Sequence, residues 1–362
     1  MSTTLQDLMR NATQLTQSGR LTEATQVIQR ALASAGLAAA PKTNAPVGEV
    51  IDVQAVEVLD DRARPQARRS DDTHATTAGA SFTSGSHSHA GLTRGFKLFL
   101  PAHNSAKPLP LVVMLHGCTQ DPDDFAAGTG MNTAAQAQGF AVLYPAQAQD
   151  ANPQRCWNWF KHNHQRRGRG EAALIASLVQ SVVAKHGLDA GRVGIAGLSA
   201  GGAMAALVAA AHPELFAALG VHSGLAPGAA ADLPSALAAM RSGAAGALPA
   251  RLAVPLIVFH GDQDQVVHPR NGEQLLAAAP AGQVRVERGV SAGGQRYTRT
   301  VVQRAGGADA DTPHLAEHWL LHGAGHAWAG GHAAGSYTDG RGPDASAEML
   351  RFFFGQGRRV GA

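Results

Sequence analysis

Three things are scarce in this sequence: cysteine, charge and long apolar runs. The 362 residues include two cysteines, Cys118 and Cys156, so a framework of several disulfides is excluded and at most one bridge can form within the chain. Charged residues make up 16% of the chain. No uninterrupted apolar run reaches the roughly 20 residues that a membrane-spanning helix needs. With 44% hydrophobic residues, the composition is typical of a soluble globular enzyme and argues against a membrane protein.

The N-terminus and the charge pattern narrow the function classes further. The first ten residues lack the basic start and the apolar core of a secretory signal, which favours a cytoplasmic protein. The formal net charge is +3, and no nucleic-acid-binding motif accompanies the arginine clusters. We interpret these clusters as solvated loops and tails and expect no nucleic-acid partner. They lie at 62–64, 68–69, 166–169 and 358–359.

The first 92 residues divide into two regions. In residues 1–36, apolar residues recur at helical spacing around a turn at 18–20, which predicts a helical hairpin. A single hairpin cannot bury its apolar face by stacking, so we expect it to dock on the main domain or to form a homo-oligomer; a partner-binding repeat is the alternative. Residues 37–92 are rich in small residues and proline and predict a flexible linker, whose His87 and His89 are expected to be solvated rather than metal-bound.

Residues 93–356 alternate between apolar strands and helices. Continuous apolar runs at 109–117 and 254–261 are typical of strands that are buried on both faces. The alternation predicts one α/β domain with a mainly parallel sheet and helices on both faces. The segment 225–250 interrupts the alternation and is interpreted as a cap or a mobile excursion near the functional site.

A strand, a sharp turn and a helix follow one another at 192–211. The turn reads Gly197-Leu-Ser-Ala-Gly201, the Gly-x-Ser-x-Gly pattern of the nucleophile elbow in the α/β-hydrolase fold. An ordinary glycine-rich connection is the alternative, but the flanking strand and helix favour the elbow. Ser199 is therefore the predicted nucleophile, and the backbone N–H of Ala200 is a predicted donor to a reaction oxyanion.

A serine nucleophile needs a histidine base and a carboxylate, which in this fold follow in the order serine, acid, histidine. Asp264 is the predicted acid, because acids in this fold commonly lie three residues after the glycine that follows such a strand; Asp262 is the alternative. His326 is the predicted base, since it lies in a glycine-rich loop after the last predicted strand. We expect His322 to be still in that strand and His332 to be past the site.

Five motifs occur in one order along the chain, and together they resemble the poly(3-hydroxybutyrate) depolymerase family of esterases from about residue 95 to residue 355. They are Leu115-His-Gly-Cys-Thr-Gln120, Cys156-Trp-Asn-Trp159, Gly197-Leu-Ser-Ala-Gly-Gly202, His260-Gly-Asp-Gln-Asp264 and Gly325-His-Ala-Trp-Ala-Gly-Gly331. The resemblance implies an α/β-hydrolase fold and a serine carboxylic-ester hydrolase that needs no cofactor or metal. Relatives of this family include feruloyl and acetyl-xylan esterases, so the ester itself stays open.

The resemblance also implies roles for residues around the triad. The His116-Gly-Cys loop resembles the family's oxyanion loop, which makes the backbone N–H of Cys118 the second predicted donor. In relatives this cysteine is bonded to the one before Trp-x-Trp, which implies a Cys118–Cys156 disulfide; two free thiols in a reducing cytosol are the alternative. His116 and the tryptophans are expected to contact the ester substrate. For Trp157 and Trp159, a role in the core is the alternative. The tryptophans are Trp157, Trp159 and Trp328.

Secreted members of the family usually carry a signal and a polymer-binding domain, and neither is recognised in this sequence. Short-chain esters or hydroxyalkanoate oligomers are therefore expected substrates, with feruloyl or acetyl-xylan esters as alternatives. Two further hypotheses are a dipeptidyl-type serine peptidase, and an interaction protein with an inert hydrolase core that binds through its N-terminal hairpin. The family resemblance also leaves an extracellular location open.

Overall fold

A computed structural model describes residues 79–102, 107–246, 252–304 and 313–356. The predicted hairpin at 1–36 and the first part of the predicted linker lie outside the described residues. No helix in the described ranges is long and apolar enough to cross a membrane.

Within the described residues, ten strands form one sheet in the order β1-β2-β4-β3-β5-β6-β7-β10-β9-β8. They are β1 (Ser81–His89), β2 (Leu92–Leu100), β3 (Leu111–Leu115), β4 (Ala141–Pro145), β5 (Val193–Leu198), β6 (Ala218–His222), β7 (Leu256–Gly261), β8 (Gln283–Val290), β9 (Arg296–Gln303) and β10 (Ala316–Leu321). Neighbouring strands from β4 to β10 in this order are parallel, and the outer pairs are antiparallel. A short pair, β11 (Trp328–Ala329) and β12 (Thr338–Asp339), lies apart.

Helices cover both faces of this sheet, because β3 to β7 are buried at every position and, apart from His222 and His260, consist of apolar residues and glycine. In β7, Leu256 and Val258 pack on one side of the sheet, whereas Ile257 and Phe259 pack on the other. The first side carries α3 (Gly170–His186), α4 (Ala200–Ala211), α5 (Leu233–Ser242) and α6 (Arg270–Ala278). The second side carries α1 (Pro122–Thr129), α2 (Met131–Gln138) and α7 (Ala345–Gly355).

The end of the predicted linker needs a correction. Residues 81–89 form β1, which pairs with β2 along its whole length. His87 is half-buried and shares a 2.9 Å hydrogen bond with the hydroxyl of Ser177 on α3. The sequence pattern does not predict this strand, because an edge strand with one exposed face can consist of small polar residues such as serine.

The first turn of α4 packs directly against the backbone of β3. A Cβ added to Gly201 would lie 2.1 Å from the carbonyl oxygen of Leu115, and one added to Gly197 would lie 2.4 Å from the carbonyl carbon of Gly201. Only glycine allows this approach, because any side chain would collide with backbone atoms. The contact places the turn between β5 and α4 at the carboxyl end of the sheet, next to the loop that follows β3.

Several histidines are packed into the core as neutral rings. Burial lowers the pKa of His318 on β10 to about 4, that of His116 to about 4 and that of His222 to about 3. The Nε2 atom of His318 has no hydrogen-bond partner in the described residues, and a Cβ added to Gly272 would lie 2.9 Å from it. Charging such a ring in the folded protein is therefore costly.

We expect acid to destabilise the protein through these histidines. Between about pH 6.5 and the lowered pKa values, the unfolded chain binds a proton at each ring and the folded chain does not. The free energy of unfolding should fall as the pH drops from 7 to about 3, level off below that range for these groups, and be unaffected by them above pH 7. Denaturant titrations at several pH values measure this fall. In His318→Leu the free energy of unfolding should fall less steeply with decreasing pH than in the parent, because one of the buried histidines is absent. Equal slopes for the parent and His318→Leu would contradict this account.

We also expect Gly201→Ala to lower the free energy of unfolding by ~3 kcal/mol, since overpacking against rigid backbone costs about that much. Gly355→Ala at the end of α7 is the matched control. A Cβ at Gly355 meets no atom within 4 Å, so this variant should be as stable as the parent or slightly more stable. Denaturant unfolding of the three proteins measures the difference, and equal stability of Gly201→Ala and the parent would contradict the close packing.

Candidate active site

Ser199 lies in the turn between β5 and α4 with a strained backbone. Its φ of 57° and ψ of −121° are unusual for a residue with a side chain. The N–H of Ser199 donates a 2.9 Å hydrogen bond to the carbonyl of His222 at the end of β6. Together with the glycine contacts at 197 and 201, this bond holds the serine at the N-terminus of α4, where Ala200 begins the helix.

The structure brings Asp264 and His326 together. Asp264 follows β7 and is buried; its Oδ1 accepts hydrogen bonds from the N–H groups of Val266 at 2.9 Å and Val267 at 2.8 Å. Its Oδ2 lies 2.7 Å from Nδ1 of His326. With Nδ1 donating to the carboxylate, Nε2 of His326 is left with a lone pair that can accept a proton.

The Asp264 carboxylate is held in its charged form. Burial raises the pKa of this group, but the hydrogen bond and charge of His326, the N–H of Val267 and the charge of His260 together bring the pKa below its usual value. Ionised Asp264 can therefore orient His326 across the neutral pH range and stabilise the charge that the ring acquires on taking up a proton.

The alternative acid and the neighbouring histidines occupy other places. Oδ2 of Asp262 lies 3.0 Å from Nδ1 of His322, and Nε2 of His322 lies 2.8 Å from the hydroxyl of Thr298. Nδ1 of His332 accepts a hydrogen bond from Ala334 N–H in an exposed loop. Asp262 and His322 thus form a separate pair, and the geometry favours Asp264 as the partner of His326.

His222, to which the sequence analysis assigns no role, connects the Ser199 turn to the segment that follows His326. His222 accepts from Ser199 through its carbonyl and from the N–H of Ala329 through Nε2, at 3.0 Å. Its ring is stacked between Phe259 and Trp328. It thereby links the serine turn to the segment three residues after His326. Its place at the carboxyl end of the strand beside β5 is the only sequence signal for this role.

The loop after β3 lies against the serine turn. A Cβ on Gly117 would be 3.6 Å from the carbonyl oxygen of Leu198. The N–H groups on both sides of Cys118 are engaged: that of Gly117 donates to Gln120 Oε1 at 2.9 Å, and that of Thr119 donates to the carbonyl of Gln154 at 2.7 Å. These bonds fix the orientation of the Cys118 peptide unit.

A disulfide links this loop to the segment that follows β4, since Cys118 is bonded to Cys156. A fully buried carboxylate, Glu171, anchors that segment by accepting hydrogen bonds from the side chains of Arg94, Gln147 and Asn158. All of these bonds are charge-assisted, and the ion pair with Arg94 balances the buried charge.

The structure buries the residues predicted to contact substrate, and this prediction needs a correction. Trp157 and Trp328 are fully buried, and Trp159 is 7% exposed. Trp157 Nε1 donates to the carbonyl of His116, and Trp328 Nε1 donates to the hydroxyl of Ser346. His116 is itself buried, and its Nε2 accepts from the N–H of Gln147. These rings support the walls of the site from behind, because apolar burial outweighs exposure for side chains of this size.

Comparison with known protein families matches this chain to a family of esterases. The model of the family described as Esterase PHB depolymerase matches residues 94–303, more than half of the chain. This range includes Ser199 and Asp264 and ends before His326. The resemblance inferred from the five motifs is thus confirmed.

Curated relatives are similar over part of their length. The chain is 34% identical over 180 residues to poly(3-hydroxyalkanoate) depolymerase C of Paucimonas lemoignei, covering 46% of this chain and 43% of that protein. It is 30% identical over 200 residues to feruloyl esterase B of Thermothelomyces thermophilus, covering 49% and 67%. Over 205 residues it is 28% identical to acetylxylan esterase A of Aspergillus awamori, covering 49% and 63%.

A solved structure matches the fold. The acetyl xylan esterase from Aspergillus awamori superposes with a TM-score of 0.55 at 20% identity, covering 72% of this chain and 94% of that one. At this identity the similarity speaks for the fold alone, and it confirms the predicted α/β-hydrolase architecture of the described domain.

Proposed function

Because the chain belongs to the PHB depolymerase family of esterases, we propose that it hydrolyses carboxylic esters with Ser199 as nucleophile, His326 as base and Asp264 as acid. The observation that carries the proposal is the 2.7 Å hydrogen bond between Nδ1 of His326 and Oδ2 of Asp264. A serine hydroxyl is a weak nucleophile at neutral pH and needs such an oriented imidazole to take its proton.

The proposed reaction has two halves. His326 Nε2 takes the proton from the Ser199 hydroxyl as the oxygen attacks the ester carbonyl, and Asp264 stabilises the imidazolium. The N–H groups of Ala200 and Cys118 stabilise the negative charge that develops on the carbonyl oxygen. The alcohol leaves with the proton from His326, and a water activated by the same ring then hydrolyses the acyl-enzyme. No step in this sequence requires a metal or cofactor.

For the substrate, we propose short-chain esters or hydroxyalkanoate oligomers, supported by the 34% identity to a poly(3-hydroxyalkanoate) depolymerase. Feruloyl or acetyl-xylan esters are the second candidate, supported by 30% identity over 200 residues to a feruloyl esterase. A panel of p-nitrophenyl butyrate, methyl ferulate, acetylated xylan and hydroxybutyrate oligomers separates the two. Faster turnover of dipeptide amides than of any ester would instead favour the peptidase hypothesis, and no turnover at all would favour the inert interaction protein.

We expect Ser199→Ala to abolish hydrolysis of p-nitrophenyl butyrate and to prevent labelling by a serine-directed phosphonate. Asp264→Asn should reduce kcat by about 10⁴-fold, because the amide stabilises the wrong tautomer of the histidine. Asp262→Asn is the matched control, since its carboxylate faces His322, and it should lose less than tenfold. Initial rates on the three purified variants give the comparison. Full turnover by Ser199→Ala, or a larger loss in Asp262→Asn than in Asp264→Asn, would contradict these assignments.

We expect His222→Phe to lower kcat about tenfold with little change in KM. Phenylalanine retains the stacking between Phe259 and Trp328, but the N–H of Ala329 loses its acceptor, and a buried unsatisfied donor costs about 1–3 kcal/mol. The matched control is His318→Leu, which replaces a buried histidine away from these loops. Both variants can lose thermal stability, but only His222→Phe should lose kcat. A parallel loss of Tm in both with an unchanged kcat would assign His222 a structural role alone.

A further inference from the structure

A surface cavity lies beside the proposed site and has no part in the reaction described above. It has a volume of about 440 Å³. Its lining residues are Arg288, Gly289, Val290, Arg296, Tyr297 and His322. They come from the end of β8, the start of β9 and the loop after β10, so the cavity opens at the edge of the sheet where β7 and β10 end.

The two arginines stand close together without a counterion. In the pairing of β8 with β9, Arg288 is opposite Thr298 and Val290 is opposite Arg296, so the arginines are diagonal neighbours on one face of the sheet. Neither forms an ion pair within the described residues. The nearest carboxylate on β8, Glu287, points to the other face and is paired with Arg285 and Arg299. Two adjacent like charges are destabilising alone, and a bound anion would relieve the repulsion.

The imidazole at the cavity is held in a fixed orientation. Nδ1 of His322 faces Oδ2 of Asp262 and Nε2 faces the Thr298 hydroxyl. The other oxygen of Asp262 accepts the N–H of Gly323 at 2.7 Å. Both oxygens of this carboxylate are therefore engaged by neighbouring donors, which limits its repulsion of an anion in the cavity.

The side chain of Tyr297 lies on the opposite face of the sheet from the two arginines, because Tyr297 is paired with Gly289 in the register. The ring of Tyr297 packs on Trp319 with centroids 4.8 Å apart. The absence of a side chain at Gly289 makes room for its hydroxyl, since a Cβ there would lie 2.4 Å from the phenol oxygen. On the arginine face, the two guanidinium groups without a counterion form a set that suits a carboxylate.

The cavity lies at a definite separation from Ser199. Asp262 and His322 belong to the same two loops as Asp264 and His326. In the sheet order, β9, which carries Arg296, is four strands from β5, and β8, which carries Arg288, is five strands from it. At about 4.8 Å per strand the separation is roughly 19 to 24 Å. A 3-hydroxyacid unit has four backbone bonds and spans about 5 Å when extended, so about four or five units bridge this distance.

We propose that this cavity binds the free carboxylate at the end of an oligomeric hydroxyacid ester, about four or five units from the bond that is cleaved. The proposal rests on the proposed ester hydrolysis at Ser199 and adds a length and charge preference to it. Binding requires no conformational change in the triad and forms no covalent bond; it holds the acid end of the chain while the scissile carbonyl lies at Ser199.

The test uses oligomers of 3-hydroxybutyrate from two to six units, each with a free carboxylate or a methyl-capped one. We expect the ratio of kcat/KM for free over capped oligomers to be near one for the dimer and about tenfold for the hexamer. Arg288→Gln and Arg296→Gln should each bring the hexamer ratio towards one, and 0.5 M NaCl should lower it. Arg285→Gln, on the other face of β8, is the matched control and should keep the parent ratio.

A binding measurement separates this inference from the proposed reaction. In calorimetry, Ser199→Ala should bind the free-acid hexamer about tenfold more tightly than the capped one, and the difference should vanish when Arg288 and Arg296 are both replaced by glutamine. A ratio near one at every length, or an equal loss in Arg285→Gln, overturns the carboxylate site. If no ester is hydrolysed but the calorimetric difference persists, the proposed reaction fails and the carboxylate site stands.

Discussion

The close contact between the first turn of α4 and the backbone of β3 determines where every other part of the site must lie. Because Gly197 and Gly201 carry no side chains, the helix begins within van der Waals distance of two strands, and Ser199 is forced into a positive φ at the rim of the sheet. The loop after β3 then has to run beside the serine. The strain at one residue is sustained by the packing of the surrounding core, which includes the fully buried strands β3 to β7.

Around that turn, the supporting interactions are made by buried polar groups that each serve two loops. His222 joins the Ser199 turn to the segment after His326, Gln120 holds Gly117, and Glu171 holds the segment that carries Cys156 through several donors. Such groups are costly to bury without partners and therefore tolerate few alternative arrangements. Neutral histidines suit this task because the ring offers one donor and one acceptor in a fixed direction. The same choice ties the integrity of the site to pH.

Much of the domain could be predicted from the sequence, because its central strands are continuous apolar runs and its elbow has a motif with a steric cause. From the sequence, Asp264 and His326 could only be ranked above Asp262 and His322 as the acid and the base. Both acids follow the same strand, and only the direction of each side chain distinguishes them. Strands β1 and β8 were missed, although the alternation of Val284 and Val286 with charged residues is a strand signal. The burial of Trp157 and Trp328 depends on packing between distant segments, which local patterns do not encode.

Within the described residues, strand β8 is one of the two edges of the sheet, and three of its valines are more than half exposed: Val284, Val286 and Val290. An open row of backbone donors and acceptors beside exposed β-branched residues is a template on which a second chain can add, and proteins commonly place cations there to prevent aggregation. Arg288 interrupts this valine row. Arg288, which contributes charge to the neighbouring cavity, therefore also protects the edge against self-association. Its replacement by an apolar residue would lower solubility, because strands of different molecules could then pair along this edge.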